Sequence, residues 1–581
     1  MRRILPALSL ILCGLILLAV AWLWWDRPER AEMAAYVPQD SLVFIEANSL
    51  PDILAALTST EAWQTLAPAA GVRANVGRLG WLARFAGRSG IGSAESVVFA
   101  RAQVAVAVLG VDAKEGGDRA LEISPRVVIV AETHVSESRA RAAVTKFVGE
   151  FARKAYGEPK FEQTDRGGVR FASWTAPAGG KKIVAAFAGS AAFVGNDESA
   201  VQACLAAQRG ERAALSGDPE LAGMRQRVGA QDALAFGYVP QGSAPKLTQL
   251  AALVLASRST SDARAQSALA IVLPQLAGRL LGGAAWSARV NNRAVEDSYY
   301  FALSSNLTSR LAVALEASHD PSFHSAEYLP ADAHQMTRYN FSEPGETWRG
   351  VNAIVSSELD PTFALVAGAY LGNSLEPFGV DAPRDFLRAA GPEIATARLD
   401  AEGEELAFVA AVRDEKTLRS LIDKRLGAGA RTEHVGGAEM RVSRDAERGA
   451  ASVFEHHVIL GSEDAVRRCL EARSSGKNLA ASDAFKKPLG FAPLGGTQSP
   501  VVSLTDDREQ ARRFVSLAAP RRSTTPSAPD AATLARAVAA LPFSVSVTLL
   551  ATDGLERKTL SPFGQFAAIA LQLAPDAGAQ R

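Results

Sequence analysis

In this chain of 581 residues Lys plus Arg and Asp plus Glu stand at 62 each, so the net charge is zero, and there is neither a basic footprint for nucleic acid nor a polybasic stripe for anionic lipid. At 48% hydrophobic and 21% charged, the chain can bury more than one core, which excludes disorder as the default state. Three cysteines in this length exclude a disulfide-stapled scaffold.

The first predicted element is Ile4–Trp25, a charge-free apolar run long enough to cross about 30 Å of hydrocarbon as a helix. Arg2 and Arg3 make residues 1–3 a cytoplasmic tip, while Trp22, Trp24 and Trp25 suit the opposite interface. The bulk of the chain is then expected in the periplasm or outside the cell, held at the inner membrane by one pass. A cleaved signal peptide is the competing reading, but its apolar region is usually shorter and closes on small residues. This one closes on Trp22-Leu-Trp-Trp25, and Leu12 before Cys13 is no lipoprotein signal. Residues 26–33 read as a linker.

Runs rich in Val, Ile and Phe then predict strands at Leu42–Glu46, Val104–Leu109, Val127–Ala131, Val169–Trp174, Ile183–Phe187 and Ala192–Gly195. Short Gly-containing turns such as Phe187-Ala-Gly-Ser190 favour antiparallel hairpins over crossovers. Helices are predicted at Glu137–Phe151 and Glu198–Gln208. The first lays Ala142, Val144, Phe147, Val148 and Phe151 toward the sheet, and the second has Asp197 as its N-cap. Leu247–Ala256 and Ala265–Leu281 follow as a Leu-rich helical pair, then a hairpin of Ala284–Val290 with Ala294–Ala302.

The plan then repeats. Phe193-Val-Gly-Asn-Asp-Glu-Ser-Ala-Val-Gln-Ala-Cys-Leu205 returns as Ile459-Leu-Gly-Ser-Glu-Asp-Ala-Val-Arg-Arg-Cys-Leu470, and Tyr36-Val-Pro-Gln-Asp40 returns as Tyr328-Leu-Pro-Ala-Asp332. Val127–Phe151 lies opposite Leu406–Leu426 in the same collinear order. Helices at Ala511–Ala519 and Ala531–Leu541 precede a hairpin of Phe543–Leu550 with Glu556–Leu560, turning at Asp553-Gly554. The expected fold is α+β: two tandem modules of mostly antiparallel sheet with packed helices, behind one transmembrane helix. Module 1 spans 34–320, a junction 321–327, module 2 328–575, and a tail 576–581. Cys204 and Cys469 fall at equivalent helical positions and read as buried small hydrophobes.

The opening Tyr-x-Pro-x-Asp, the turns Gly90-Ile-Gly92 and Gly379-Val-Asp381, the segments Asp385-Phe-Leu387 and Gly391-Pro-Glu-Ile394, and the strand-Gly-helix unit resemble the bacterial domain-of-unknown-function 3352 family over most of each module. Module 1 departs at Ser96-Val-Val98, where the other has Asp385-Phe-Leu387. The resemblance implies an extracytoplasmic, membrane-anchored protein of alternating sheet and helix, and it brings no catalytic residues.

Motifs with a specific chemistry are sparse. His319, His324 and His334 stand among Asp320, Glu327 and Asp332, without the spacing of a helical metal pair or zinc finger. His456-His457 precede a strand, so their side chains point to opposite faces. Gly87-Arg-Ser-Gly-Ile-Gly92 lacks the lysine and hydroxyl of a phosphate loop, and no Gly-x-Ser-x-Gly elbow is present. Glu404-Glu405 and Asp506-Asp507 read as solvated faces or caps. No catalytic, cofactor or metal residue is predicted, and the expected role is non-enzymatic binding or envelope scaffolding. The alternative is a carrier or sensor for an apolar ligand, with Leu250, Leu253 and Leu276 as the contact surface. A hydrolase with an unrecognised site ranks behind both. The expected partners are the membrane, through Ile4–Trp25, and an envelope protein or lipid.

Overall fold

The computed structural model describes residues 30–47, 49–72, 93–115, 121–259, 278–320, 322–359, 361–490, 499–518 and 531–573. The expected transmembrane segment Ile4–Trp25 and the turn Gly87–Gly92 lie outside them. Among the described residues no helix is long and apolar enough to cross a membrane. The chain divides into two compact units, Met1–Thr58 with Ala74–Ser243, and Ser59–Arg73 with Ala244–Arg581. Both are α+β and antiparallel, as the strand patterns and short turns predict.

The first unit holds β1 (Val43–Ala47), β2 (Gln103–Glu115), β3 (Leu121–Glu132), β4 (Lys160–Arg166), β5 (Val169–Thr175), β6 (Lys182–Ala188), β7 (Ala191–Gly195) and β8 (Ala235–Val239). Their pairings run β8-β1-β2-β3-β7-β6-β5-β4. Helix Glu137–Tyr156 packs Val144, Val148 and Ala152 against Trp174, Ile183, Ala185 and Phe187. The sheet-facing stripe is therefore Ala140, Val144, Val148 and Ala152, four residues apart. Ala142, Phe147 and Phe151, expected on that stripe, are instead exposed, the two rings by 55% and 56%, because each ring is displaced by one residue, about 100°, around the helix. Phe147 finds the Phe99 ring edge-on at 5.2 Å.

Asp197 caps helix Glu198–Gln208 by accepting from the Ala200 N–H at 2.8 Å, as its sequence context predicts. Gly195 stands where strand becomes helix, and a Cβ there would meet Val127 O and Val201 Cγ2, both at 2.9 Å.

The second unit holds β9 (Leu281–Asn291), β10 (Ala294–Leu303), β11 (Gln335–Asn340), β12 (Ala390–Arg398), β13 (Leu406–Val412), β14 (Arg431–Val435), β15 (Ala438–Val442), β16 (Ala450–Phe454), β17 (His457–Gly461), β18 (Val501–Thr505), β19 (Ser544–Ala551) and β20 (Gly554–Ser561). Their pairings run β9-β10-β20-β19-β18-β11-β12-β13-β17-β16-β15-β14. The hairpin β19-β20 forms as expected, but its two-residue turn is Thr552-Asp553, one position before the expected Asp553-Gly554, and Gly554 pairs with Ala551. The compact-unit boundary at Ser243/Ala244 does not coincide with the sequence boundary at 320–328. β9 and β10 lie before the latter, yet eight residues of β10, Val295–Ala302, pair with β20.

One face of this sheet is mainly apolar, although Arg338, Lys558 and Glu296 also fall on it. Met336, Val502, Leu504, Val545, Val547 and Leu560 bury there in one cluster with Cys469 and Leu470 of helix Glu463–Ser475. The opposite face changes character along the sheet. Over β12, β13 and β17 it is apolar, with Ile394, Phe408 and Leu460 packed against Leu418 and Ile422 of helix Glu415–Leu426. Followed toward β10, the same face becomes polar.

Candidate functional site: a hydroxyl-floored cleft

In a strand, every second side chain shares a face, and register carries that face across the ladder. Phe408 pairs with Thr396, Thr396 with Thr337, Thr337 with Ser503, Ser503 with Ser546, Ser546 with Thr559, and Thr559 with Asp297. An aromatic core residue thus gives way, strand by strand, to a row of hydroxyls ending on a carboxylate. The row on one side joins Thr505 to Ser544, and the row on the other side joins Thr548 to Arg557 and Arg557 to Tyr299.

Above β10, β20, β19 and the end of β18 this face is open as a cleft of about 450 Å³. Ser544, Ser546, Thr559 and Thr505 form its floor. One wall is helix Arg508–Leu517, which contributes Asp507 from its N-cap position, Gln510 and Ala511. Helix Gly564–Leu573 contributes Gln565, Ala567 and Ala568 on the other side, and Tyr299, Phe301 and Phe563 add aromatic surface.

Asp297 is 1% exposed. Trp286 donates its indole N–H to one carboxylate oxygen at 2.8 Å, and the Gln565 backbone N–H donates to the other at 3.2 Å. The second donor belongs to the first turn of a helix, whose dipole favours a negative group there. Gly564 makes this approach possible. Its φ is +56°, and a Cβ would run into the Asp297 carboxylate and Val295. Burial nevertheless dominates and raises the Asp297 pKa to about 6, against the two N–H donors and with the Glu296 charge adding to the rise. Burial also raises the Tyr299 hydroxyl, with Asp297 contributing, and that hydroxyl accepts from Gln565 Nε2 at 2.8 Å.

Asp507 is raised as well, first by burial, while the Ser544 hydroxyl beside it works the other way. Of the two expectations for Asp506-Asp507, solvated face or cap, the second fits: Asp507 stands at the N-cap position of helix Arg508–Leu517, and Asp506 accepts from the Arg508 backbone N–H at 3.1 Å. Asp506 is tied by both oxygens to Arg508, at 2.7 and 2.5 Å, and Asp507 is half-buried in the cleft wall. The connection between β18 and helix Arg508–Leu517 places these successive residues in different surroundings. On the floor, Ser546 and Thr559 hydroxyls stand 2.8 Å apart, and Arg557 donates to Ser546 Oγ at 3.1 Å. Each hydroxyl has one donor and two acceptor positions, so this network leaves capacity for a ligand.

Of the residues singled out from sequence, Asp507 lines the cleft, and Leu250 is not among its lining residues. Leu250 is half-buried on helix Ala244–Ser259. Leu253 belongs to the same helix, but its side chain lies outside the described residues, as does all of Leu276. His324 Nδ1 stands 3.4 Å from Glu327, and His457 packs at a tilt of 38° against Tyr328 with centroids 4.6 Å apart. Among the described residues no group of three or more His, Cys, Asp and Glu is placed to hold a metal ion.

The cleft's residues had a signal in the sequence. Ser544-Val-Ser-Val-Thr548 and Val501-Val-Ser-Leu-Thr505 alternate apolar residues with hydroxyls, which marks a sheet with one face in the core and the other polar. Asp297 carries no such signal, since Glu296 and Ser298 flank it in the strand. Comparison with protein-family models, with curated proteins and with solved structures gives no match to this chain.

Proposed function

We propose that this is a membrane-anchored, extracytoplasmic protein built from two tandem modules, acting by binding or by scaffolding the envelope. The observation that carries the binding role is the polar cleft of the second unit. It is a concave site of ordinary small-ligand size, about 300–1,000 Å³, in which hydroxyls, Arg557, Gln510 and Gln565 converge. Both oxygens of its most buried carboxylate are engaged by N–H donors, an arrangement suited to holding a shape more than to moving protons.

Two further observations support the duplicated architecture. The pairing order β8-β1-β2-β3-β7-β6-β5-β4 recurs as β18-β11-β12-β13-β17-β16-β15-β14. Cys204 and Cys469 are both fully buried on the corresponding helices. Anchoring and orientation rest on Ile4–Trp25 and its flanking Arg2 and Arg3. The likeness to the domain-of-unknown-function 3352 family, carried by the motifs quoted above, points to the same compartment.

A hydrolase is the second reading, favoured by one specific feature, the convergence of Asp297, Asp507, Ser544 and Ser546 in one cleft. The two readings separate experimentally. Under the binding role, detergent-extracted protein retains a partner or ligand that the variant Arg557→Met loses, and no ester, amide or glycoside substrate is turned over. Turnover abolished by Asp507→Asn would establish the hydrolase instead. A lipid carrier acting through Leu250, Leu253 and Leu276 would keep its cargo in Arg557→Met.

A further inference from the structure

We propose that the cleft over β18, β19, β20 and β10 takes a neutral polyhydroxylated ligand, a short saccharide chain, a conclusion that rests on the binding role argued above. Four properties of the cleft select this chemistry. First, the floor is made of hydroxyls where a sheet under helices ordinarily carries Val, Ile or Leu. Ser544 and Ser546 are 3% and 7% exposed, so the second unit forgoes apolar burial at these positions, roughly 25 cal/mol for each Å². A ligand that is donor and acceptor at the same atoms matches such a floor, and a sugar hydroxyl is both.

Second, the charges oppose an anion. Asp297 and Asp507 face the space with Arg557 as the cation lining it, and Arg557 is already directed at Ser546 Oγ. Third, a bare cation is a poor fit to Asp297, because Trp286 and Gln565 hold its two oxygens. Fourth, the planar amides of Gln510 and Gln565 at the rim offer paired donors and acceptors, and Tyr299 and Phe301 offer flat apolar surface for the carbon face of a sugar ring. An apolar ligand would leave the hydroxyl and amide positions not already used within the cleft unmatched, at about 1–3 kcal/mol for each buried group.

The test uses the full-length chain in detergent and isothermal titration with a fixed panel: cellotetraose, maltotetraose, chitotetraose and a tetrasaccharide of galactose. Sodium phosphate and lauric acid serve as the anionic and apolar controls. The expected result is saturable binding of at least one tetrasaccharide, weakened about tenfold or more by Thr559→Val, which removes a floor hydroxyl while keeping its shape. Arg557→Met, at an exposed position, is the second variant should Thr559→Val fail to fold, and it is expected to weaken the same binding.

Absence of binding by every tetrasaccharide at 10 mM, or binding that both folded variants leave unchanged, overturns the proposal. Phosphate or laurate binding that is lost in Arg557→Met shows that the cleft is a ligand site of another class, so the saccharide inference falls and the binding role stands. Failure of all six probes, together with an unaltered set of co-purifying components in Arg557→Met, removes the cleft from the binding role as well.

Discussion

Replacing Asp297 by Asn tests the electrostatics of the cleft most directly. Folding moves this carboxyl from an ordinary 3.8 to about 6, so between those values the native state binds more protons than the unfolded one. Stability contributed by the group is therefore highest at acid pH, declines as pH rises through that window, and is level above it. A shift of roughly two units, at 1.36 kcal/mol each, is worth about 3 kcal/mol across the window. The charges around the group are fixed by other contacts. Glu296, adjacent on β10, is held by Arg289 at 2.6 Å and Asn291 at 2.6 Å, and Arg557 is engaged with Ser546.

The asparagine keeps an acceptor for Trp286 but sets its amide against the Gln565 N–H, a loss of about 1 kcal/mol that is independent of pH. Urea unfolding of the wild type and Asp297→Asn, followed by circular dichroism at half-unit steps from pH 4 to pH 7.5, gives the difference directly. The other carboxylates titrate in both proteins and cancel. The wild type is expected to lose most of the 3 kcal/mol relative to the variant between pH 4 and pH 6.5. Parallel profiles across this range would refute the account of Asp297 as a carboxylate raised by burial.

Gly564→Ala forces a side chain onto a backbone with φ of +56° and into the Asp297 carboxylate. It is expected to lower stability by about 1–3 kcal/mol, and an unchanged urea midpoint would show that the loop relaxes freely. The thiols of Cys204 and Cys469 are fully buried and pushed up to about 12 by that burial. Iodoacetamide at pH 8 is therefore expected to label neither residue until the protein unfolds, and rapid labelling of the native protein would contradict it. If Ile4–Trp25 anchors the chain as its flanks imply, a reporter fused after Arg581 that is active only outside the cytoplasm is expected to work, and one active only in the cytoplasm to fail. The reverse result would invert the topology.

The antiparallel sheet was legible because each strand carries its own local evidence. Val127–Ala131 is a short β-branched run and Ile183–Phe187 an apolar one, and the Asp-Gly dipeptide marks the last hairpin to within one residue, the turn falling at Thr552-Asp553 with Ala551 paired to Gly554. Less visible were strands at the rim. β4 reads Lys-Phe-Glu-Gln-Thr-Asp-Arg and every residue is exposed; with no face to bury, an edge strand has no apolar period to announce it, and its charges guard the edge from pairing with other chains. The misplaced Phe147 and Phe151 have a related cause. In a helix rich in alanine, the narrow stripe Ala140, Val144, Val148 and Ala152 fits closely against the sheet, and the larger rings are displaced to its margin. The cleft was hidden for a different reason. Its members come from β10, β18, β19, β20 and two helices, up to 271 positions apart between Asp297 and Ala568, so only the register assembles them. Their individual residues, serines and threonines in alternation, look like any solvated strand face until the two helices are found standing above it.

If the floor is polar by selection for a ligand, and not by solvation, the free protein carries a cost in stability. Positions retained for function are places where a protein stands below its stability optimum. Thr505 is half-buried, lines the cleft, and sits beside Ser544 on the neighbouring strand. Thr505→Val keeps the branched shape and the strand preference of the residue and exchanges a hydroxyl for a methyl on a face that, a few strands away, is filled by Ile394 and Phe408. If the hydroxyl serves a ligand, the free protein has no use for it, and the variant is expected to be more stable by about 0.5–1 kcal/mol while saccharide affinity falls. If the hydroxyl instead holds the floor together, the variant loses about 1 kcal/mol or more. A destabilised Thr505→Val would thus recast the polar face as part of the fold's own hydrogen-bonding, and a stabilised one with weakened binding would place Thr505 among the residues that contact the ligand.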